Sequence, residues 1–231
     1  MTFSQLLRFR LLSTLPAKHL RRIRALSLTR EFAAGEHIFG KSDSAEHIFF
    51  VVSGQVKIYS RSPARKSKTF AYLGPGDIFG EMGVLLDAPR SASAQAVTKC
   101  RVLILRNTDF RRFLLSDAGV TLKLLKTVAE RLRRADEEIE SLLFGNMLCR
   151  VARAVLNLSS RGGLGKRGRP ALQQRYTQQE LADMVGTTRE PLSRALGALR
   201  RARLIDTHGG RIQIMDPHRL EALLRTCVGL P

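Results

Sequence analysis

The chain is 231 residues long with 39 Lys and Arg against 20 Asp and Glu, a net charge of +19 that attracts polyanions over a Debye length of about 8 Å and makes nucleic acid the first partner to consider. The length suits two modest domains, each with its own core. Three dispersed cysteines, Cys100, Cys149 and Cys227, without C-x-x-C spacing suit neither a disulfide framework nor a zinc or iron–sulfur site.

No apolar run approaches the ~18 residues of a membrane span, and Arg8, Arg10, Arg21, Arg22 and Arg24 interrupt any signal-peptide core. The expectation is a cytoplasmic protein with no membrane partner. From residue 11 to 26, Leu11, Leu12, Leu15, Leu20, Ile23 and Leu26 recur at helical spacing, with Pro16 in the first turn. Between residues 30 and 106 short alternating runs rich in Val, Ile and Phe, punctuated by glycine, predict a compact antiparallel β-structure. The near-repeat at residues 35–39 and 45–49 reads as successive strands of similar environment. Farther on, Leu125, Val128, Leu132, Ala135, Ile139 and Leu142 step by three and four among charged neighbours, a narrow heptad seam. Two copies of the chain are expected to pair along it; packing of the helix onto its own β-domain would use a wider stripe. A second helix covers about residues 146–159. Residues 161–170, glycine-rich and basic, predict a flexible loop; the order G-x-x-x-x-G-K-[ST] of a phosphate-binding loop is absent.

Thr177-Gln-Gln-Glu180 is a capping box that starts a helix carrying Leu181, Ala182 and Val185 inward. Gly186 breaks it, Thr187 or Thr188 restarts the chain as an N-cap, and Pro191 falls in a first turn where its missing N–H costs little. Leu192, Ala195, Leu196 and Leu199 form the inner face of this second helix, and Arg189, Glu190, Ser193 and Arg194 share the opposite one. Arginine can fork onto the O6 and N7 acceptors of guanine, and glutamate can accept from the N4 amino group of cytosine, so that face has the chemistry to read a major groove. Residues 204–214 form a hairpin with a Gly-Gly turn, read as a wing. Residues 144–231 carry 15 basic and 6 acidic side chains. No H-E-x-x-H, G-x-S-x-G or other pairing of nucleophile and base is present, so no enzyme is expected.

With these parts in order, the chain from about residue 12 to 226 resembles the cyclic-AMP receptor protein (catabolite activator) family of bacterial transcription regulators. Gly74-Pro-Gly-Asp-Ile-Phe-Gly-Glu-Met-Gly83 with Pro89-Arg-Ser-Ala-Ser93 is similar to that family's phosphate-binding cassette, and Gly186-Thr-Thr-Arg-Glu-Pro-Leu-Ser-Arg194 to its recognition helix. The implied fold is α+β: an N-terminal cyclic-nucleotide-binding β-roll (1–107), a dimerisation helix (108–143) and a C-terminal winged helix-turn-helix (144–231). The resemblance implies that Arg90 and Ser91 bind the cyclic phosphate, that Glu81 accepts from the ribose 2′-hydroxyl, and that the Gly80 and Met82 backbone lines the sugar. Physically, Arg90 and the Ser91 hydroxyl can supply charge-assisted bonds to a phosphodiester. Alternatively Gly80 and Gly83 are turn residues and Glu81 a surface acid paired with Arg90.

Where cyclic-AMP-responsive members carry a Thr-Ser pair, this chain has Ala135-Asp136. Ala135 cannot bond a base; Asp136 can accept from an adenine amino group or from guanine N1 and N2. The expected effector is a cyclic nucleotide, cyclic AMP ahead of cyclic GMP, with no prosthetic group and no metal. An iron–sulfur switch needs an N-terminal cysteine cluster, and the first 99 residues contain no cysteine. On DNA, Arg189, Glu190 and Arg194 match the base-reading positions, which implies a TGTGA-like half-site in an inverted repeat; Ser193 matches a position used by the oxygen-sensing branch, and Thr177 and Thr188 are assigned to phosphates. The partners implied are palindromic duplex DNA, a second copy of the chain and RNA polymerase. Two other readings stand beside this one: a constitutive or otherwise-triggered DNA-binding regulator with a vestigial pocket, and a cyclic-nucleotide-binding regulatory or scaffold subunit that does not bind DNA.

Overall fold

The structure is a computed structural model that describes residues 6–13, 15–62, 67–144, 146–159, 172, 175–208 and 211–227, with backbone alone at 140–144 and 227. The predicted flexible loop at 161–170 and the Gly209-Gly210 turn lie outside the described residues. Two compact units are present, Met1–Arg65 with Thr69–Arg131, and Lys66–Lys68 with Leu132–Pro231.

The first unit begins with helix α1 (Ala17–Leu26) and continues through strands β1 (Leu28–Phe32), β2 (His37–Phe39), β3 (His47–Ser53), β4 (Val56–Arg61), β5 (Ser67–Leu73) and β6 (Ile78–Phe79). A six-residue helix α2 (Glu81–Leu86), strands β7 (Ser93–Ala96) and β8 (Cys100–Arg106), helix α3 (Asn107–Ser116) and the start of α4 (Ala118–Phe144) follow; α4 belongs to the first unit as far as Arg131 and to the second from Leu132. The strands form two four-stranded sheets, ordered β1-β8-β3-β6 and β2-β7-β4-β5. Successive side chains of a strand point to opposite faces, and β3 uses both. Ile48 and Phe50 join Leu20, Ile23, Phe110 and Leu124 in a core against the helices, while Phe49 and Val51 join Val56, Phe79 and Ala94 in a core between the sheets. All four of residues 48–51 are therefore buried, with no exposed face between them.

Three expectations change here. The N-terminal helix starts at Ala17 with Pro16 as its N-cap, and Leu11, Leu12 and Leu15 are buried in the turns before it; proline at the cap leaves no unpaired N–H, so the helix begins where the ring permits it. The near-repeat strands β2 and β3 belong to different sheets, and Ile48 and Phe49 are buried where Ile38 and Phe39 are half-buried, so their environments are not alike. On α4, Leu125, Leu132 and Ile139 are 62%, 63% and 54% exposed and Ala135 is exposed, as an unpaired seam would be. Val128, however, packs partly buried against the helix-side core together with Leu124 and so belongs to the chain's own domain. Leu142 lies outside the described side chains.

The second unit holds α5 (Met147–Ser159), α6 (Gln178–Val185), α7 (Arg189–Arg201), the antiparallel pair β9 (Ile205–His208) and β10 (Arg211–Ile214), and α8 (Pro217–Cys227). Val151, Val155, Leu181, Leu192, Leu199 and Ile214 are among the side chains of its core. The buried Cys149 is disulfide-bonded, although the cysteine spacing suits no disulfide framework, and Cys100 is a free buried thiol. No helix among the described residues is long and apolar enough to cross a membrane.

Candidate functional site

Two groups of predicted residues are brought together, one in each unit. In the first, β6 delivers the chain to Gly80, whose φ of +81° ends the strand and opens α2. A Cβ at Gly80 would stand 2.6 Å from Nη1 of Arg90, so a glycine serves both the left-handed backbone and the approach of the guanidinium. Arg90 is only 5% exposed. Its Nη1 donates to the Gly80 carbonyl at 3.0 Å and its Nη2 to the His47 carbonyl at 2.7 Å. The guanidinium carbon lies 4.3 Å from the Phe39 ring centroid and 5.3 Å from that of Phe49. Its backbone is held as well: Arg90 N donates to Asp43 O, and Ser42 N donates to Arg90 O, each at 2.9 Å. Burial lowers the Arg90 pKa below its ordinary value, opposed by the carboxylates of Glu81 and Asp43; an arginine nonetheless stays charged. The buried Nε has no hydrogen-bond partner among the described residues. A desolvated cation with one idle donor is suited to an anion.

Glu81, the first residue of α2, is 4% exposed, and its carboxylate pairs with Nη1 of Arg131 on α4. The same guanidinium donates through Nη2 to the Ile78 carbonyl at 2.6 Å. Of the sequence alternatives for Glu81, neither a surface acid nor a partner of Arg90 is what is found: the acid is buried and its ion pair is with α4. Ser91 is exposed and its hydroxyl donates to the Met82 sulfur at 3.6 Å; Met82 is 45% exposed. Asp136 is exposed on α4 in the second unit.

Arg131 is the residue that sequence reasoning missed. The signal was present: Leu124, Val128 and Arg131 are spaced by four and three and share a helical face, and the first two pack on the chain's own core.

In the second unit the capping box at Thr177 is complete. Its hydroxyl accepts from Glu180 N at 3.1 Å, and the Glu180 carboxylate accepts from Thr177 N at 2.7 Å and from the Thr177 hydroxyl at 2.9 Å. Gly186 takes φ +72° and closes α6, and Arg150 of α5 donates to the Val185 carbonyl at 2.5 Å and to the Gly186 carbonyl at 3.2 Å. Thr188 is the N-cap of α7 and makes no side-chain cap bond. Arg189, Glu190, Ser193 and Arg194 are all exposed on the first turns of α7, with Leu192, Ala195, Leu196 and Leu199 buried opposite. Arg189 Nε donates to Gln179 Oε1 at 2.7 Å, which aims the guanidinium from the first turn of α6. Gln179 was not singled out in the sequence, because its pairing with Arg189 exists only once the helices are folded against each other. Glu190 and Arg194 approach to 3.8 Å but are highly exposed, so the pair is weak and both remain available.

The cyclic nucleotide-binding domain family matches residues 29–117, and the Crp-like helix-turn-helix domain family matches residues 149–223. The cyclic AMP receptor protein of Thermus thermophilus is 36% identical over 194 residues, 84% of this chain and 87% of that protein. A CRP-like cAMP-activated global transcriptional regulator of Mycobacterium tuberculosis is 30% identical over 190 residues, 82% of this chain and 85% of that protein. Among solved structures, FixK2 from Bradyrhizobium japonicum superposes with a TM-score of 0.73 at 27% identity, covering 85% of this chain and 96% of that one. A cyclic-nucleotide-binding-type β-roll joined to a helix-turn-helix defines a DNA-binding transcription regulator. The chain belongs to the cyclic-AMP receptor protein family, within the CRP/FNR group of bacterial regulators.

Proposed function

We propose that this regulator works as a homodimer in the bacterial cytoplasm and that a cyclic nucleotide held at Arg90 sets its affinity for an inverted-repeat DNA site. The observation that carries the reading is the buried, charged Arg90 with its idle Nε: few purely structural roles would leave a desolvated guanidinium donor unused. Arg90 and Ser91 take the cyclic phosphate, Glu81 accepts from the ribose 2′-hydroxyl, the Gly80 and Met82 backbone lines the sugar, and Asp136 meets the base. The cAMP-activated relatives at 30% and 36% identity support cyclic AMP as the first candidate; the carboxylate of Asp136 keeps cyclic GMP in contention.

On DNA, Arg189, Glu190, Ser193 and Arg194 read bases of a TGTGA-like half-site while Thr177 and Thr188 meet phosphates, and the exposed Leu125, Leu132 and Ile139 pair with a second copy. Effector contacts made in only one arrangement of the paired helices would set the recognition helices one DNA turn apart, about 34 Å. RNA polymerase is the remaining partner. Swinging such an equilibrium from 1:99 to 99:1 takes about 5.5 kcal/mol of differential affinity. Titration calorimetry with cyclic AMP and cyclic GMP tests the effector: saturable heat from one of them is expected, and silence from both at millimolar ligand rejects this effector class.

A second reading has its own observation. Two of the Arg90 nitrogens are already taken by the Gly80 and His47 carbonyls, and Glu81 is already paired. A regulator with a vestigial, self-satisfied pocket would look similar, and the same calorimetry separates the two.

A further inference from the structure

The short helix α2, which starts the candidate pocket, is held at its far end by a residue outside every motif considered so far. Arg111 of α3 donates to the Val84 carbonyl twice, from Nε at 3.0 Å and from Nη2 at 2.6 Å, and Nη2 also pairs with Asp87 at 2.5 Å. We infer that Arg111 is a positioning residue that clamps α2 to α3, and that through it effector occupancy at Arg90 is passed to α4.

Six residues are too few for a helix to hold itself, since nucleation is unfavourable and its last carbonyls lack intrahelical donors. In the second half of α2, Leu85 and Leu86 are 43% and 65% exposed, so the buried Val84 is the side chain anchoring that turn. Its carbonyl is the one that Arg111 takes. The helix then ends at Asp87, at φ +50°, a left-handed conformation that aspartate tolerates better than most residues, so the Val84 carbonyl rather than the exposed Asp87 carboxylate is the main hold of the clamp. A cation at a helix C-terminus also meets the negative end of the dipole. The forked guanidinium can address one carbonyl with two donors and a carboxylate at once, which a lysine cannot.

The clamp has a firm base. Phe110, beside Arg111, shares the helix-side core with Val84. The step from α3 to α4 is fixed by three bonds at Asp117: its N–H to Phe113 O at 3.0 Å, its carbonyl from Thr121 N at 3.2 Å and its carboxylate from Val120 N at 3.1 Å. Thus α2 is tied to α4 directly at its start, through Glu81 and Arg131, and through α3 at its end. A ligand that draws on Glu81 loosens the first tie; the second then decides whether α2 moves alone or carries α3 and the start of α4 with it.

This inference rests on the cyclic-nucleotide reading above for its ligand, and hydrogen exchange followed by mass spectrometry on the full-length protein separates the two. Without ligand, Arg111→Met is expected to speed exchange of the peptide 81–88 by about tenfold while β8 is unchanged, and Arg111→Lys to fall between. Asp87→Asn, at an exposed carboxylate, should stay within about twofold of the parent. Added cyclic AMP should alter exchange across residues 118–124, at the start of α4 and away from Arg131, in the parent and in Asp87→Asn but not in Arg111→Met. Parent-like exchange at 81–88 in Arg111→Met, or an undiminished response at 118–124, overturns the proposal. Should Arg111→Met unfold the unit throughout, Arg111→Lys is judged by the same two criteria. A parent protein that ignores cyclic AMP refutes the effector reading, while the ligand-free arm still decides the clamp.

Discussion

Glu81 and Arg131, fifty positions apart in the chain, form an ion pair in which the Glu81 side chain is 5% exposed and the Arg131 side chain 34%. The acid that opens the cassette helix therefore answers to the long helix α4, and a ligand hydroxyl arriving at Glu81 must share it with Arg131. Removing one partner of such a pair strands the other. Arg131→Met is expected to destabilise the effector unit by about 2 kcal/mol, below the 3–5 of a fully buried pair because Arg131 is partly solvated. Urea unfolding checks this. Arg131→Met combined with Glu81→Gln should recover much of the loss, and equal losses in the single and double variants would contradict the pairing.

Arg90→Gln removes the charge and both fork donors from the candidate phosphate site. Charge-assisted bonds contribute about 1.5–3 kcal/mol each, so cyclic-AMP affinity should fall by at least about tenfold. Calorimetry on the two proteins reads the change, and equal dissociation constants would remove Arg90 from the site.

In the second unit, Gly186→Ala tests backbone geometry alone. An added Cβ would meet Arg150 Nη2 no closer than 3.5 Å, an ordinary contact. The cost is that of a left-handed non-glycine residue, about 1–2 kcal/mol. A lowered thermal midpoint for this unit is expected by calorimetric scanning, and an unchanged one would mean that the turn relaxes freely.

Leu132, 63% exposed on α4, should be covered when two copies pair. Leu132→Asp places a charge in that seam and is expected to shift the protein from dimer to monomer in sedimentation equilibrium at micromolar concentration. A dimer that persists unweakened would place the interface elsewhere.

What the sequence made legible is local. The capping box Thr177–Glu180, the break at Gly186 and the inward face of α7 are all set within a few residues of each other, so spacing alone specifies them. The strand at 48–51 is legible as a strand, but it reads as alternating, whereas all four side chains are buried because β3 faces two cores. What it concealed depends on distant elements meeting. Arg131 reads as one more charge on a charged helix until Leu124 and Val128 are seen to pack inward, and Arg111 reads as a surface arginine until α2 ends against it. The repeat at residues 35–39 and 45–49 misled for the same reason, since identical side chains were sent to different sheets.

In the proposed mechanism, effector occupancy governs reading of an inverted repeat by α7. Fluorescence anisotropy with a duplex carrying two TGTGA-type half-sites one helical turn apart, against a scrambled duplex, tests it with and without cyclic AMP. Tighter binding to the repeat is expected when cyclic AMP is present, with a loss of about 1–3 kcal/mol in Arg189→Ala on the repeat alone. Equal affinity for both duplexes, whether or not the nucleotide is added, would contradict it.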